Sequence, residues 1–182
     1  MLRLQDIADK VRGIARRYEV LCRRGDPSCS ERNFMNEVEG VLESEVWSRL
    51  GVPKPEYEYK VHVDEGFVGR HYGRIDAYYG LVFFEYKRPY PGLRETSVRE
   101  GAIEQARDYI KGLLNDENTK AIISKIKNAG FKPLITGVIL DGHHVMNKNF
   151  VSNSMHFVKD SFYLMLACEL SRHNELVLEA HA

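Results

Sequence analysis

With 182 residues, 43% of them hydrophobic and 29% charged, the chain is long enough to bury the core of one domain and has the balance of a soluble globular protein. The 26 basic and 26 acidic residues cancel, which excludes a globally basic nucleic-acid binder but leaves room for a local basic face. No apolar run approaches the ~20 residues of a membrane span, and the mixed, amphipathic segment Met1 to Lys10 is not the pattern of a signal peptide.

Residues 2 to about 23 carry apolar side chains at helical spacing (Leu4, Ile7, Val11, Ile14, Tyr18, Leu21), with Arg12, Arg16, Arg17, Arg23 and Arg24 on much of the remaining surface. That arginine face reads as a solvated helix surface, with phosphate contact as the alternative. Gly25-Asp26-Pro27 breaks the helix. Three cysteines, Cys22, Cys29 and Cys168, form no CxxC pair. They predict free packing thiols in a reducing cytoplasm, pairing of Cys22 with Cys29 being the alternative.

Ser30 is a good N-cap for a helix from Glu31 to about Leu50, whose apolar line is Phe34, Val38, Val41, Leu42, Val46 and Leu50. The spacing puts Glu31 on the buried stripe and Glu37, Glu43 and Glu45 towards water. Residues 56 to 63 alternate as a half-buried strand, and Asp64 to His71 read as a loop or hairpin turn. Two short strands follow, one ending at Asp76 and one carrying Glu85 and Lys87, with a break at Tyr79-Gly80. Helices are expected over Ser97 to Leu114 and 118 to 129, and a buried strand over Pro133 to Asp141. Gly142 to Ser154 reads as loop and Phe157 to Ser171 as a last helix. The expected fold is therefore a single mixed α/β domain, a central sheet of about four or five strands flanked by helices. Residues 1–29 would be a helical extension, 30–141 the core and 142–182 a loop and helix.

The stretch Gly73 to Pro89 carries the chemistry. Residues two apart on a strand share a face, so Glu85 and Lys87 project together while Phe84 and Tyr86 point to the other side. A carboxylate and a lysine inside an apolar strand are costly to bury without a partner. An aspartate brought alongside Glu85 by the neighbouring strand makes an oxygen-rich site suited to a hard divalent cation. The adjacent His143-His144 beside Asp141 lacks the spacing of a metal motif.

Asp76 followed nine residues later by Glu85-x-Lys87, then by Gln105-x-x-x-Tyr109 on a helix, resembles the PD-(D/E)XK nuclease superfamily, in particular its RecB-like branch. The segment Glu31 to Leu42 looks like the first core helix in the nuclease domain found at the N-terminus of restriction–modification proteins fused to an adenine-methyltransferase. The resemblance spans roughly Glu31 to Asp141 and departs from the family name at Ile75, where proline is expected.

The resemblance implies a restriction-endonuclease-like fold and a Mg²⁺-dependent DNA endonuclease, with Mn²⁺ as a substitute ion. Asp76, Glu85, Glu31 and the backbone carbonyl of Tyr86 would be metal ligands, and Lys87 would orient the attacking water. Gln105 would hydrogen-bond near the site, while Tyr109, Arg88, Arg94 and Arg99 would meet DNA. The partners implied are DNA, a fused or separate methyltransferase or specificity module, and a second copy of the chain, with no membrane. A junction resolvase, a DNA-end nuclease and a non-catalytic nucleic-acid-binding module are the competing expectations.

Overall fold

The structure is a computed structural model that describes residues 4–48, 54–64, 70–130, 133, 135–149 and 156–159. Helices α1 (Leu4–Arg23) and α2 (Glu31–Leu42) precede a hairpin of β1 (Glu56–Asp64) and β2 (Arg70–Tyr78), then β3 (Val82–Tyr86). Helices α3 (Thr96–Asn115) and α4 (Glu117–Asn128) lead to β4 (Thr136–Leu140), β5 (His144–Asn149) and β6 (His156–Lys159). The six strands form one sheet in sequence order. Only β3 and β4 are parallel, with α3 and α4 supplying the long crossover that a parallel pair needs, and every other neighbour is antiparallel.

Each face of this mixed sheet carries its own core. Ala77, Val82, Phe84, Tyr86, Val138 and Leu140 pack against α1 and α2. Val61, Ile75, Tyr78, Phe83 and Ile139 pack against α3, with Ile122 and Ile126 of α4 adding to that layer. Strands β3 and β4 are buried along their whole length, the signature of strands covered on both sides. Ser30 caps α2 by accepting from the amide of Asn33 at 3.1 Å, and Asp116 caps α4 through the amide of Thr119 at 2.8 Å.

Five expectations need correction. The second helix does not run unbroken to Leu50. It passes into a π-helical turn, Glu43–Trp47, that turns both Val46 and Trp47 into the core, and its expected end at Leu50 to Pro53 lies outside the described residues.

The region 142–154 is not simply a loop, because His144–Asn149 forms β5. Phe157, expected to open a helix, lies in β6 opposite Met146, which takes the sheet to six strands; the rest of that expected helix falls outside the described residues. The cause is a tight reversal at Asp141-Gly142. Gly142 takes φ 81° and the Asp141 carboxylate accepts the amides of His143 and His144 at 2.9 and 2.6 Å.

Glu31 is exposed in the first turn of α2, not on the buried stripe, since the helix meets the core only from Phe34 onward. Finally, Cys22 and Cys29 are not free thiols but a disulfide. The break at Gly25 to Pro27 brings their Cα atoms to 5.0 Å, within disulfide reach. Cys168 lies outside the described residues.

Candidate active site

The site is built where β2 departs from regular pairing. In the β1–β2 ladder Tyr57 faces Ala77 and Tyr59 faces Ile75, but the pair between them, Glu58 with Asp76, drops out. The β2–β3 ladder pairs Ala77 with Phe84 and Tyr78 with Phe83 and goes no further towards Asp76. Side-chain faces switch at the same level. Ile75 packs with the α3 layer and Ala77 with the α1/α2 layer, although residues two apart on a regular strand share a face. Asp76 sits at that switch. Its Oδ2 accepts the backbone amide of Tyr86 at 2.7 Å, so a side chain supplies the acceptor for a strand amide beyond the last paired residues.

Glu85 and Lys87 stand together as the strand period requires. Lys87 Nζ donates to Glu85 Oε1 at 2.7 Å and to Gln105 Oε1 at 3.0 Å. Gln105 Nε2 donates to the Tyr109 hydroxyl at 2.5 Å, and that hydroxyl donates to the Arg74 carbonyl at 2.6 Å. The chain from Lys87 to β2 therefore fixes the ammonium through two residues one turn apart on α3. Gly73 makes this possible, since a Cβ there would lie 2.4 Å from Tyr109 Cε1.

The electrostatics are those of two carboxylates held out of water. Burial pushes the Asp76 carboxyl up to about 6, opposed by the Tyr86 amide and Lys87 and reinforced by Glu31 and Glu58. Burial and the Asp76 charge push Glu85 up to about 8, against the pull of Lys87. Burial disfavours the Lys87 ammonium, yet Glu85, Glu31 and Asp76 hold its pKa above the ordinary value. Glu85 is 3% exposed, and its Oε2 is buried with no hydrogen-bond partner.

A divalent cation would meet both needs, giving the orphaned oxygen a partner and neutralising the paired carboxylates. Asp76 and Glu85 thus fit such an ion. Among the described residues no group of three or more His, Cys, Asp or Glu is gathered to hold a metal. Glu31, its side chain 46% exposed, reaches the site by facing Lys87 Nζ at 3.8 Å. Tyr86 directs its amide to Asp76 and its ring to the opposite face.

The expected DNA-contacting residues divide. Tyr109 is buried and belongs to the hydrogen-bond chain around Lys87. Arg88 is exposed beside Lys87. Arg94 faces Glu19 of α1 at 3.5 Å, and Arg99 donates to Thr96 Oγ1 at 3.4 Å. A cavity of about 330 Å³ opens against Gln105 and Tyr109, walled also by Tyr72, Gly73, Glu104 and Asp108.

A further buried carboxylate lies outside the residues that the sequence singles out. Glu39 of α2, 2% exposed, lies behind the site. It accepts hydroxyls from Tyr79 at 2.7 Å, from Tyr86, and from Tyr57 at 3.5 Å. Burial raises its pKa while these donors pull it down. Its signal in the sequence was available: Glu39 follows the apolar Met35 by four residues and precedes Leu42 by three, and both are buried.

No family model matches the chain, and no curated protein and no solved structure matches it significantly.

Proposed function

We propose that this chain is a metal-dependent phosphodiesterase that hydrolyses DNA, a nuclease domain of the PD-(D/E)XK type. The observation that carries the reading is the buried pair Asp76 and Glu85 with an orphaned Oε2, beside a lysine clamped by Gln105. Structural ion pairs perturb pKa values too, but a carboxylate pair raised this far with one oxygen unsatisfied is a poor stabilising device and a good cation site.

In this reading Asp76 and Glu85 would hold Mg²⁺ or Mn²⁺, with Glu31 and the Tyr86 carbonyl at its margin. The bound ion would supply Lewis-acid charge for the phosphate and acidify a water molecule. The chain's own residues prepare the rest. The Tyr86 amide fixes the Asp76 carboxylate. Gln105 holds Lys87 Nζ at the rim of the carboxylate pair, where an ammonium orients a nucleophilic water and offsets charge developing on the phosphate oxygens. Arg88, exposed beside Lys87, would meet a flanking phosphate, with Arg94 and Arg99 following it in the chain.

A separate or fused methyltransferase or specificity module would supply sequence recognition, and the cytoplasm is the compartment that such a role implies. Disulfides are rare there, so the Cys22–Cys29 bridge counts against that compartment. The experiment is cleavage of supercoiled plasmid in Mg²⁺ or Mn²⁺. Activity is expected in the wild type and loss in Asp76→Ala and Lys87→Ala protein; full activity in either variant overturns the proposal.

A further inference from the structure

Glu58 takes φ 54° in the middle of β1, and it is the sole non-glycine with positive φ among the described residues. Extended strands need φ well below zero, and a side chain in the left-handed region crowds its own backbone. Asn, Asp and Gly visit that region most readily; glutamate has no such preference. The strain also has an address. Glu58 is the residue opposite Asp76 where the β1–β2 ladder skips one pair while keeping the same register on either side.

What the left-handed residue does follows from the faces it separates. Tyr59, Val61 and Val63 pack with the α3 layer, but Tyr57, two residues before Tyr59, sends its hydroxyl towards Glu39 in the α1/α2 layer. Across the ladder, Ile75 and Ala77 divide the same way. Both strands therefore exchange faces at one level. With regular alternation, Asp76 would point away from Ile75 and from the α3 layer that holds Gln105 and Tyr109. At the switch its carboxylate is free to turn to the Tyr86 amide and to share the space of Glu85.

We infer that Glu58 is a positioning residue: its left-handed backbone switches the faces of β1 and β2 and so aims Asp76 at Glu85 and the Tyr86 amide. The inference rests on the nuclease reading for its catalytic consequence but not for its structural one. The Glu58 side chain, 41% exposed and 3.7 Å from Arg74, also adds a charge near Asp76; every variant below removes that charge alike, so differences within the series report the backbone conformation.

The test is a series at one position, Glu58→Gly, Glu58→Asn, Glu58→Ala and Glu58→Val. Two readouts are followed: plasmid cleavage, and the chemical shift and hydrogen exchange of the Tyr86 amide by NMR. Left-handed tolerance falls along this series while strand propensity peaks at valine. A purely structural strand position would favour valine and suffer with glycine. The positioning role predicts the reverse: Gly and Asn keep the Tyr86 amide protected and cleavage near the wild-type rate. Valine exposes that amide and lowers kcat by about 10–100-fold with little change in KM, as expected for a displaced reacting group.

Alanine stands between them and serves if the valine variant fails to fold. An unchanged Tyr86 amide and unchanged cleavage in the least tolerant variant that folds overturn the inference. So does equal loss in the Gly and Val variants. If the wild type cleaves no DNA, the nuclease reading fails by itself, and the Tyr86 amide still decides the role of Glu58.

Discussion

The backbone amide of Tyr86 donates to Asp76 Oδ2 at 2.7 Å, although the β2–β3 ladder has already ended at Ala77 and Phe84. One interaction thereby does two things: it closes the open end of the hairpin and fixes a carboxylate beside Glu85. Asp76→Asn keeps an acceptor for that amide but removes the charge. Its thermal stability should match or exceed that of the wild type, while plasmid cleavage falls by about 10²–10³-fold, the range seen on removing one preorganised charge-stabilising group. Asp76→Ala should lose the same activity and also about 1–3 kcal/mol of stability, because the amide is left unpaired. Wild-type cleavage by the Asn variant, measured by gel nicking assay, would exclude a role for the charge.

Titration of the site gives a second expectation. The Asp76 and Glu85 carboxyls are raised above their ordinary values of 3.8 and 4.5 to about 6 and about 8. A raised acid favours the fold most when it is protonated in both states. That contribution is complete below about pH 4 and is lost as pH rises through 6 and then 8. Metal-free protein should therefore lose thermal stability between pH 5 and pH 8. Asp76→Asn/Glu85→Gln protein should lose less over that interval, by on the order of 5 °C in Tm. Adding Mn²⁺ at pH 8 should stabilise the wild type and leave the double variant unmoved. Identical melting curves for the two proteins at every pH would contradict the assignment.

Behind the site, Glu39 is a carboxylate satisfied by tyrosine hydroxyls. Tyr86→Phe removes one donor and nothing else, and should cost about 1–3 kcal/mol in urea denaturation, the penalty for leaving a buried group short of a partner. Tyr57→Phe, whose hydroxyl is 3.5 Å away on a half-exposed side chain, should cost much less. Equal effects from the two would mean that the cluster is not discriminating between them.

Gly73 is occupied on its missing-side-chain side by the Tyr109 ring. Gly73→Ala must move that ring and with it the Tyr109 hydroxyl that links Gln105 to the Arg74 carbonyl. A loss of about 1–3 kcal/mol is expected from overpacking, together with reduced cleavage. Tyr109→Phe, which keeps the ring and loses only the hydroxyl, separates the two effects when both variants are assayed for melting and activity.

The Cys22–Cys29 bridge closes a loop of sequence separation 7 between α1 and α2. A loop that short corresponds to about 2 kcal/mol of loop-closure stabilisation. Reductant should lower Tm by several degrees in the wild type and not at all in Cys22→Ser/Cys29→Ser protein. Cleavage should change little in either, because the Ser30 cap holds the first turn of α2, and with it Glu31, without the bridge.

The sequence by itself determined the elements with strong local signals. Helical spacing and caps set α1, the start of α2, α3 and α4. The strand period placed Glu85 and Lys87 on one side of β3 and Phe84 and Tyr86 on the other, and the Gln105 to Tyr109 spacing put both on one face of α3. These are short-range rules, and they held where neighbouring residues settle the geometry.

Tertiary structure alone decided the rest. Glu31 became an exposed neighbour of Lys87 because the depth of a helical side chain depends on where the helix first touches the sheet. β5 and β6 formed because β4 offered an edge beyond the Asp141-Gly142 reversal, and local pattern does not report an available edge. Asp76 reached Glu85 through a left-handed glutamate on another strand. A face switch of this kind is set by pairing across the sheet, where residues distant in sequence bear on one carboxylate.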